Sequence, residues 1–126
     1  RTMATLAARG VSPAVVDDQC GRLTFADDLA AGICHLIDTQ APYGTYNLTN
    51  AGPVQSWCDI ARDVYDLCGR DRNDVIATTT AEYGAGKALA PRPTHSALNL
   101  DKISATGFVP VPASERLAAY VASLGQ

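Results

Sequence analysis

The sequence lacks the patterns that mark several common classes of protein. No stretch approaches the ~18 apolar residues that a membrane-spanning helix needs. There is no Gly-x-Gly-x-x-Gly, so the chain carries no dinucleotide-binding loop of this type. The four cysteines form no Cys-x-x-Cys pair, and His35 and His95 give no metal-ligand spacing, so we expect no metal site. Aromatic residues make up only 6% of the chain, which predicts a thin core.

Positive charge is also scarce. The chain has 10 Lys and Arg residues against 13 Asp and Glu residues, a net charge of −3. A domain that binds the nucleic-acid backbone carries a basic patch or a pI above about 9, so we expect no nucleic-acid partner, and no membrane partner. The balance leaves the binding of a single phosphate group open. The cysteine pattern is not that of a disulfide scaffold, which favours reduced thiols and a cytoplasmic location.

The length of 126 residues fits one domain. The spacing of apolar residues predicts helices and short strands that alternate along the chain, which favours an α/β fold, or an α+β fold with strands joined through helices. The chain begins at Arg1 without an initiator Met or signal peptide, from which we expect a portion of a longer protein. The predicted helices are residues 2–9, 25–38, 57–68, 80–83, 100–106 and from 114 onwards, and the predicted strands are 14–17, 45–49 and 75–79.

Two pairs of residues have the spacing of a capping box, the motif that begins many helices. Thr24 with Asp27 predicts one helix start, and Ser56 with Asp59 predicts another. Asn99 is expected to cap the short helix that follows it. The helix after Thr24 should carry an apolar face made of Leu29, Ile33, Leu36 and Ile37. Three cysteines fall on predicted helices, where cysteine usually acts as a small buried hydrophobe: Cys34, Cys58 and Cys68.

Tyr83 and Lys87 have the Tyr-x-x-x-Lys spacing of the catalytic pair of short-chain dehydrogenases. In that pair the lysine lowers the pKa of the phenol, which requires both residues on one helix face. Here Gly84 and Gly86 lie between the two residues, and each glycine destabilises a helix by ~1 kcal/mol. The pattern therefore favours a coincidence within a loop, and we assign no catalytic residue to this chain.

Arg92 is the most informative charged residue. It lies between Pro91 and Pro93, which stiffen its backbone. A rigid guanidinium on a loop suits bidentate capture of a phosphate. An ion pair at the protein surface explains the same residue equally well, and the sequence leaves both interpretations open.

Three segments in order along the chain share a pattern with one family. Residues 16–24 read VDDQCGRLT and residues 28–30 read DLA; residues 44–48 read GTYNL, before Ser56-Trp57; residues 90–99 read APRPTHSALN. These segments are similar to the D-Q-x-G-x-P-T … D-L-A, G-x-Y-H-x … S-W and A-x-R-P-x-N-S-x-L-D motifs of the dTDP-4-dehydrorhamnose reductases, which are extended short-chain dehydrogenases. The chain therefore resembles this family throughout its length. It departs from the family at Leu23, where the family has Pro, and at His95, where the family often has Asn.

The resemblance implies that residues 1–126 are the C-terminal portion of such an enzyme, with late Rossmann elements interleaved with a substrate-binding lobe. The dinucleotide-binding half, with the catalytic residues, would be absent. The implied parent reaction is reduction of dTDP-4-dehydro-L-rhamnose to dTDP-L-rhamnose by NADPH or NADH. The 126 residues alone are then expected to be inactive and to bind no cofactor.

The resemblance also implies substrate-binding residues. Arg92 would contact the diphosphate of a dTDP-sugar. Gln19, Gly21 and Thr24 would lie near the nucleotide-sugar cleft, although a helix cap is a second explanation for Thr24, and Ser96 would shape the Arg92 loop. Two other functions stay open: a non-catalytic binding or regulatory relative, and another sugar-nucleotide epimerase or dehydratase. A homodimer is compatible with each of them.

Overall fold

The computed structural model describes residues 1–125. Helices and short strands alternate, which confirms the α/β class expected from the sequence. In chain order the elements are α1 (Thr2–Ala8), β1 (Ala14–Val16), β2 (Cys20–Gly21), α2 (Ala26–Asp38), β3 (Gln55–Ser56), α3 (Trp57–Leu67), a 3₁₀ turn (Arg72–Asp74), β4 (Ile76–Thr78), α4 (Thr80–Gly84), α5 (Asp101–Ser104) and α6 (Ala113–Ser123).

The strands form two small sheets. β1 pairs with β4 in parallel, so that Ala14 lies opposite Ile76 and Val16 opposite Thr78. β2 pairs with β3 in an antiparallel arrangement. The parallel pair needs a long crossover, and the chain supplies it through α2 and α3. β1 and β4 confirm the sequence prediction, whereas β2 and β3 were missed because two-residue strands are too short to show a period of two.

The apolar core lies between α1, α3 and the β1–β4 pair. Its fully buried members come from α1, α3 and the segment before β4, and Val15 of β1 packs against them. Tyr65 is the largest, and its hydroxyl donates a hydrogen bond of 2.8 Å to the carbonyl of Val11. Since strand residues alternate between faces, Ala14 and Val16 lie on the opposite side of the sheet. The core residues are Ala7, Cys58, Ala61, Tyr65 and Val75.

A buried polar group ties α2 to α6. Asp28 is only 6% exposed and accepts hydrogen bonds from Arg116 Nε at 2.9 Å and Arg116 Nη2 at 2.6 Å. Asn50, 1% exposed, donates to Asp28 Oδ2 at 2.7 Å. The hydrogen bonds from the Arg116 guanidinium lower the pKa of Asp28 most strongly, and the bond from the Asn50 amide lowers it further. Together they outweigh burial, which raises it. The ionised carboxylate is thus satisfied inside the fold.

The structure confirms one capping box and overturns the other. Ser56 Oγ accepts from the Asp59 amide at 3.0 Å, and Asp59 Oδ2 accepts from the Ser56 amide at 3.0 Å. The prediction for Thr24 is wrong, because α2 begins after Phe25 without a side-chain cap of its own. The hydroxyl of Thr24 lies 2.6 Å from that of Thr49, and the Phe25 amide donates to Asn50 Oδ1 at 2.8 Å.

Two further expectations differ from the structure. The strand predicted at 45–49 is wrong: this segment has no strand partner within residues 1–125. The apolar face of α2 is largely exposed, with Ile33 at 51% and Ile37 at 69%, while Asp28 and Gly32 face inward. Gly32 lies so close to Leu48 that a Cβ there would collide with it.

The remaining corrections concern the cysteines and one helix cap. All four cysteines are free thiols, but only Cys58 is buried; Cys34 is exposed on α2, and Cys68 is exposed directly after the end of α3. Asn99 does not cap α5, whose first flanking residue is Leu100. Asn99 Oδ1 instead accepts a hydrogen bond of 2.8 Å from the Asp101 amide, which forms a turn just before the helix. No helix within residues 1–125 has both the length and the apolar character needed to cross a bilayer.

Candidate functional site

A cavity of about 330 Å³ opens at the end of the parallel strand pair. Its lining residues come from β1 and the segment after it, from the start of α3, from α4 and from the irregular loop that follows α4. A volume of this size lies within the range of small-molecule sites. The lining residues are Ala14, Val15, Val16, Gln19, Trp57, Thr80, Tyr83, Leu89, Ala90 and Arg92.

Gln19 is the polar group on the strand side of the cavity. Its Nε2 donates a hydrogen bond of 2.9 Å to Thr80 Oγ1. Thr80 in turn donates from its hydroxyl to Asp18 Oδ1 at 2.5 Å and from its backbone amide to both carboxylate oxygens at 3.0 Å. The hydrogen bonds from Thr80, first from its side chain and then from its amide, lower the pKa of Asp18. The Gln19 amide is therefore held by an ionised carboxylate through one hydroxyl.

Arg92 is the cationic group of the cavity. It stands between two prolines, as the sequence shows, and it lines the cavity together with the residues of β1. The ion pairs found within residues 1–125 involve only Arg70, Arg72 and Arg116. Arg92 has no carboxylate partner there, so the surface ion pair considered for it is not formed. Its charge is available for an anionic ligand.

Large apolar side chains complete the cavity wall. Trp57 is 50% exposed, Leu89 50% and Tyr83 46%, although each is bulky enough to fill a core position. All three surround the same space as Arg92 and Gln19. An apolar wall beside one cation and one amide suits a ligand with a flat or apolar part joined to an anionic part.

Tyr83 and Lys87 do not lie together on one helix. α4 ends at Gly84, so the two residues share no helix face. The Lys87 ammonium lies 3.9 Å from the centroid of the Tyr83 ring, a cation–π contact over the ring face. Tyr83 therefore lies on α4, whereas Lys87 lies in the loop that follows this helix.

Gly21 and Ser96 lie close together where the segment of β2 meets the end of the Arg92 loop. The Cys20 amide donates to the Thr94 carbonyl at 2.8 Å, and the Ser96 amide donates back to the Cys20 carbonyl at 2.8 Å. A Cβ on Gly21 would lie 2.6 Å from Ser96 Oγ, so a larger residue here would force the Ser96 hydroxyl to move. Both residues line a small gap of about 20 Å³ that shares Trp57 with the main cavity.

Of the five residues expected at a substrate site, Gln19 and Arg92 line the main cavity. Gly21 and Ser96 lie next to it, and Thr24 lines neither space. Sequence reasoning missed Thr80 as a partner of Gln19. Thr80 is the last of three consecutive threonines, which give no spacing signal, and it meets Asp18 across 62 positions of sequence. No group of three or more His, Cys, Asp or Glu residues within 1–125 is arranged to hold a metal ion.

The chain matches known proteins over nearly its whole length. The family model described as "RmlD substrate binding domain" matches residues 1–125. A Streptomyces antibioticus protein named "Probable dTDP-4,6-dihydroxy-2-methyloxan-3-one 4-ketoreductase" is 37% identical over 111 residues, which are 88% of this chain and 36% of that protein.

Two crystal structures have a similar fold. A dTDP-4-dehydrorhamnose reductase ortholog from Clostridium acetobutylicum superposes with a TM-score of 0.82 at 32% identity, over 99% of this chain and 43% of that one. The dTDP-4-dehydrorhamnose reductase of Bacillus anthracis, solved in complex with NADP, superposes with a TM-score of 0.79 at 32% identity. The superposition covers 95% of this chain and 41% of that one. The chain thus spans less than half the length of the proteins it matches.

Proposed function

Because the chain belongs to the family of RmlD substrate-binding domains, we propose that it is the sugar-nucleotide-binding portion of a reductase. The longer protein would convert dTDP-4-dehydro-L-rhamnose to dTDP-L-rhamnose with NADPH or NADH. The observation that carries this proposal is the placement of Arg92, a cation without a carboxylate partner within residues 1–125, in a cavity that also holds Gln19 and an apolar wall.

Each part of the cavity suits one part of a dTDP-sugar. The Arg92 guanidinium would hold the diphosphate through charge-assisted hydrogen bonds, which are stronger than neutral ones. The exposed faces of Trp57 and Leu89 would pack against the less polar parts of the ligand. Gln19 would contact the nucleoside or sugar. Gly21 and Ser96 would act indirectly, by fixing the loop that carries Arg92.

The proposed division of labour leaves hydride transfer to another part of the longer protein. No glycine-rich dinucleotide loop occurs in this sequence, and no residue here is assigned to the cofactor. The nicotinamide cofactor, when bound, would supply the hydride. The residues of this chain would bind and orient the sugar nucleotide and exclude water from it.

The exposed surfaces of the fold support the proposal that residues 1–126 are a C-terminal portion. Parallel sheets usually have more than two strands and helices over both faces. Here Ile76 of β4 is 56% exposed, and the α2 residues Leu29, Ile33 and Ile37 form an apolar stripe on the surface. A dinucleotide-binding half that continues the β1–β4 sheet would cover such surfaces.

The proposal is tested with the longer protein that contains this chain. Purified protein is mixed with NADPH and dTDP-4-dehydro-L-rhamnose, and NADPH oxidation and sugar products are followed. We expect turnover to dTDP-L-rhamnose. Tight binding of the dTDP-sugar without NADPH oxidation would favour the non-catalytic relative instead. Turnover of a different nucleotide sugar alone would reject the assigned substrate.

A further inference from the structure

We propose that Asp18 and Thr80 are positioning residues that orient the Gln19 side-chain amide, so that its carbonyl oxygen, and not its amino group, is presented to the ligand. This inference rests on the proposed function, in that it takes the main cavity to be the sugar-nucleotide site. It adds two residues that were not expected at the substrate site, Asp18 and Thr80. It also adds the direction of the hydrogen bond between Gln19 and the ligand.

The direction follows from counting the protons along the three side chains. An ionised carboxylate can only accept hydrogen bonds, so at 2.5 Å the Thr80 hydroxyl must donate its single proton to Asp18 Oδ1. The Thr80 oxygen is then left as an acceptor for Gln19, whose Nε2 lies 2.9 Å away. A flipped amide would place Gln19 Oε1 against an oxygen that has no proton to give. The Asp18 carboxylate thus fixes the orientation of the Gln19 amide through the Thr80 hydroxyl that lies between them.

Asp18 is kept in the acceptor state that this argument requires. Thr80 donates to it through both its hydroxyl and its backbone amide, and these hydrogen bonds hold the pKa of Asp18 below its ordinary value of 3.8. At neutral pH the carboxylate is therefore ionised. The acceptor role of Thr80 toward Gln19 follows from that charge state.

The fold explains why these residues meet. Val16 and Thr78 are paired at the ends of the parallel strands β1 and β4, and the Asp17 amide extends the pairing by donating to the Thr78 carbonyl at 3.0 Å. Asp18 and Thr80 each lie two residues beyond that pair. Because both strands run in the same direction, their next residues emerge at the same edge of the sheet. The Gln19 backbone is held as well, since its carbonyl accepts from the Trp57 amide at 3.3 Å.

The orientation has a consequence for ligand recognition. With Nε2 bound to Thr80, Gln19 offers the cavity an acceptor, and Oε1 accepts no hydrogen bond within residues 1–125. It selects a ligand hydroxyl or N–H group and disfavours a carbonyl or phosphate oxygen at the same point. Gln19 would then select a hydrogen-bond donor of the ligand, whereas Arg92 would select an anionic group of the ligand.

The test is a double-mutant cycle in the longer protein, with the dissociation constant of dTDP-L-rhamnose measured by calorimetry. Gln19→Ala is expected to weaken binding roughly tenfold, and Thr80→Val, which removes the hydroxyl while keeping the shape, roughly fivefold. The double variant should bind as Gln19→Ala does, because Thr80 acts only through Gln19. Thr80→Ser, which keeps the hydroxyl, should restore binding to within about twofold of the starting protein.

Thr79→Val is the matched control. Thr79 Oγ1 accepts from the Glu82 amide at 3.1 Å and so caps α4, without a contact to Gln19. Any effect of Thr79→Val should add unchanged to that of Gln19→Ala, since it reports only on the stability of α4. Melting temperatures measured in parallel show whether each variant is folded at the assay temperature.

The outcomes separate the positioning role from the proposed function. Additive effects of Thr80→Val and Gln19→Ala, or a Thr80→Val variant that binds normally while Gln19→Ala does not, would overturn the positioning role. In both of these outcomes the proposed function still stands if the starting protein binds dTDP-L-rhamnose and Arg92→Ala weakens that binding. A starting protein that does not bind dTDP-L-rhamnose would reject the function and the positioning role together.

Discussion

Arg92 supplies the only guanidinium in the wall of the main cavity, and its charge has no carboxylate partner within residues 1–125. The prolines on both sides limit the backbone motion that would let it turn elsewhere. An unpaired cation next to the exposed apolar surfaces of Trp57 and Leu89 favours an anionic ligand that also brings apolar contact. A nucleoside diphosphate sugar has both properties.

Replacement of Arg92 should therefore affect substrate binding. In the longer protein, Arg92→Ala is expected to raise KM for the dTDP-4-keto sugar by roughly 5- to 150-fold, equivalent to ~1–3 kcal/mol for a lost charge-assisted contact. Arg92→Lys should recover part of the loss, because it restores the charge but not the bidentate geometry. Steady-state kinetics measure both. Arg9→Ala, at an exposed arginine without an ion pair in the described chain, is the control, and an unchanged KM in Arg92→Ala would remove Arg92 from the site.

The sequence identified Arg92 and Gln19 but not what surrounds them. Both residues stand inside motifs that can be recognised along the chain. Thr80 cannot be recognised in this way, because its importance comes from meeting Asp18 and Gln19 in space. The two interpretations of Arg92 could likewise be separated only by knowing which carboxylates lie near it.

Asp28 gives the fold a pH dependence whose direction follows from its partners. Its pKa is lowered from the ordinary value of 3.8 chiefly by the Arg116 guanidinium, so the unfolded chain binds this proton more readily than the folded chain. The stabilisation is complete above the unfolded pKa and is lost as the pH falls from about 4 through the folded value.

Urea unfolding between pH 7 and pH 2 tests this contribution. Asp28→Asn should lower the free energy of unfolding at pH 7 and should also flatten its decline below pH 4. Asp38→Asn, at an exposed carboxylate at the end of α2, is the control and should keep the slope of the original protein. An acid decline that is equally steep in Asp28→Asn would show that other carboxylates account for it.

At the scale of elements, α2 is held at its start by a residue that is remote in sequence. Asn50 accepts from the Phe25 amide and donates both to Asp28 and to the Val111 carbonyl, at 2.8, 2.7 and 3.1 Å. Thr24, which has the spacing of a cap, is bonded to Thr49 instead. A local motif competes with tertiary hydrogen bonds, and here the tertiary bonds are formed.

Asn50 should accordingly matter more than Thr24 for stability. Asn50→Ala removes three hydrogen bonds, one of them buried and two partly buried, and leaves Asp28 with less support, so the free energy of unfolding should fall by ~2–4 kcal/mol. Thr24→Val removes one hydroxyl contact and should cost ~1 kcal/mol. Thermal or urea unfolding compares the two. Equal losses would contradict the assignment of Asn50 as the residue that holds the start of α2.

Long helices were easier to predict than short strands. The apolar spacing of α3, its capping box and the glycine after it define the element from local signals alone. The segment 45–49 has the alternation of a strand but finds no neighbouring strand within residues 1–125. β2 and β3 pair through only two residues each, and their positions are set by the loops that bring them together.

At the scale of the whole molecule, apolar surface remains uncovered. The stripe on α2 and the exposed Ile76 of β4 are the kind of surface that monomeric domains usually cover. The sequence predicted the helical periodicity of this stripe but not its exposure, because periodicity shows that a face is apolar without showing what packs on it. In the proposed reductase the dinucleotide-binding half would lie against such surfaces.

The chain on its own should therefore be catalytically inactive. We expect residues 1–126 mixed with NADPH and dTDP-4-dehydro-L-rhamnose to oxidise no NADPH above background, since no hydride-site residue is assigned to them. Absorbance at the NADPH band measures this, with the longer protein as the positive control. Turnover by the 126 residues would show that the division of labour proposed here is wrong.

The central claim is that the cavity between β1, α3, α4 and the Arg92 loop holds the sugar nucleotide. A crystal structure of the longer protein with dTDP-L-rhamnose tests it most directly. The account predicts diphosphate oxygens within hydrogen-bond distance of the Arg92 guanidinium and a ligand hydroxyl or N–H facing Gln19 Oε1. A dTDP-sugar bound elsewhere, with the Arg92 side chain turned away from it, would contradict the account.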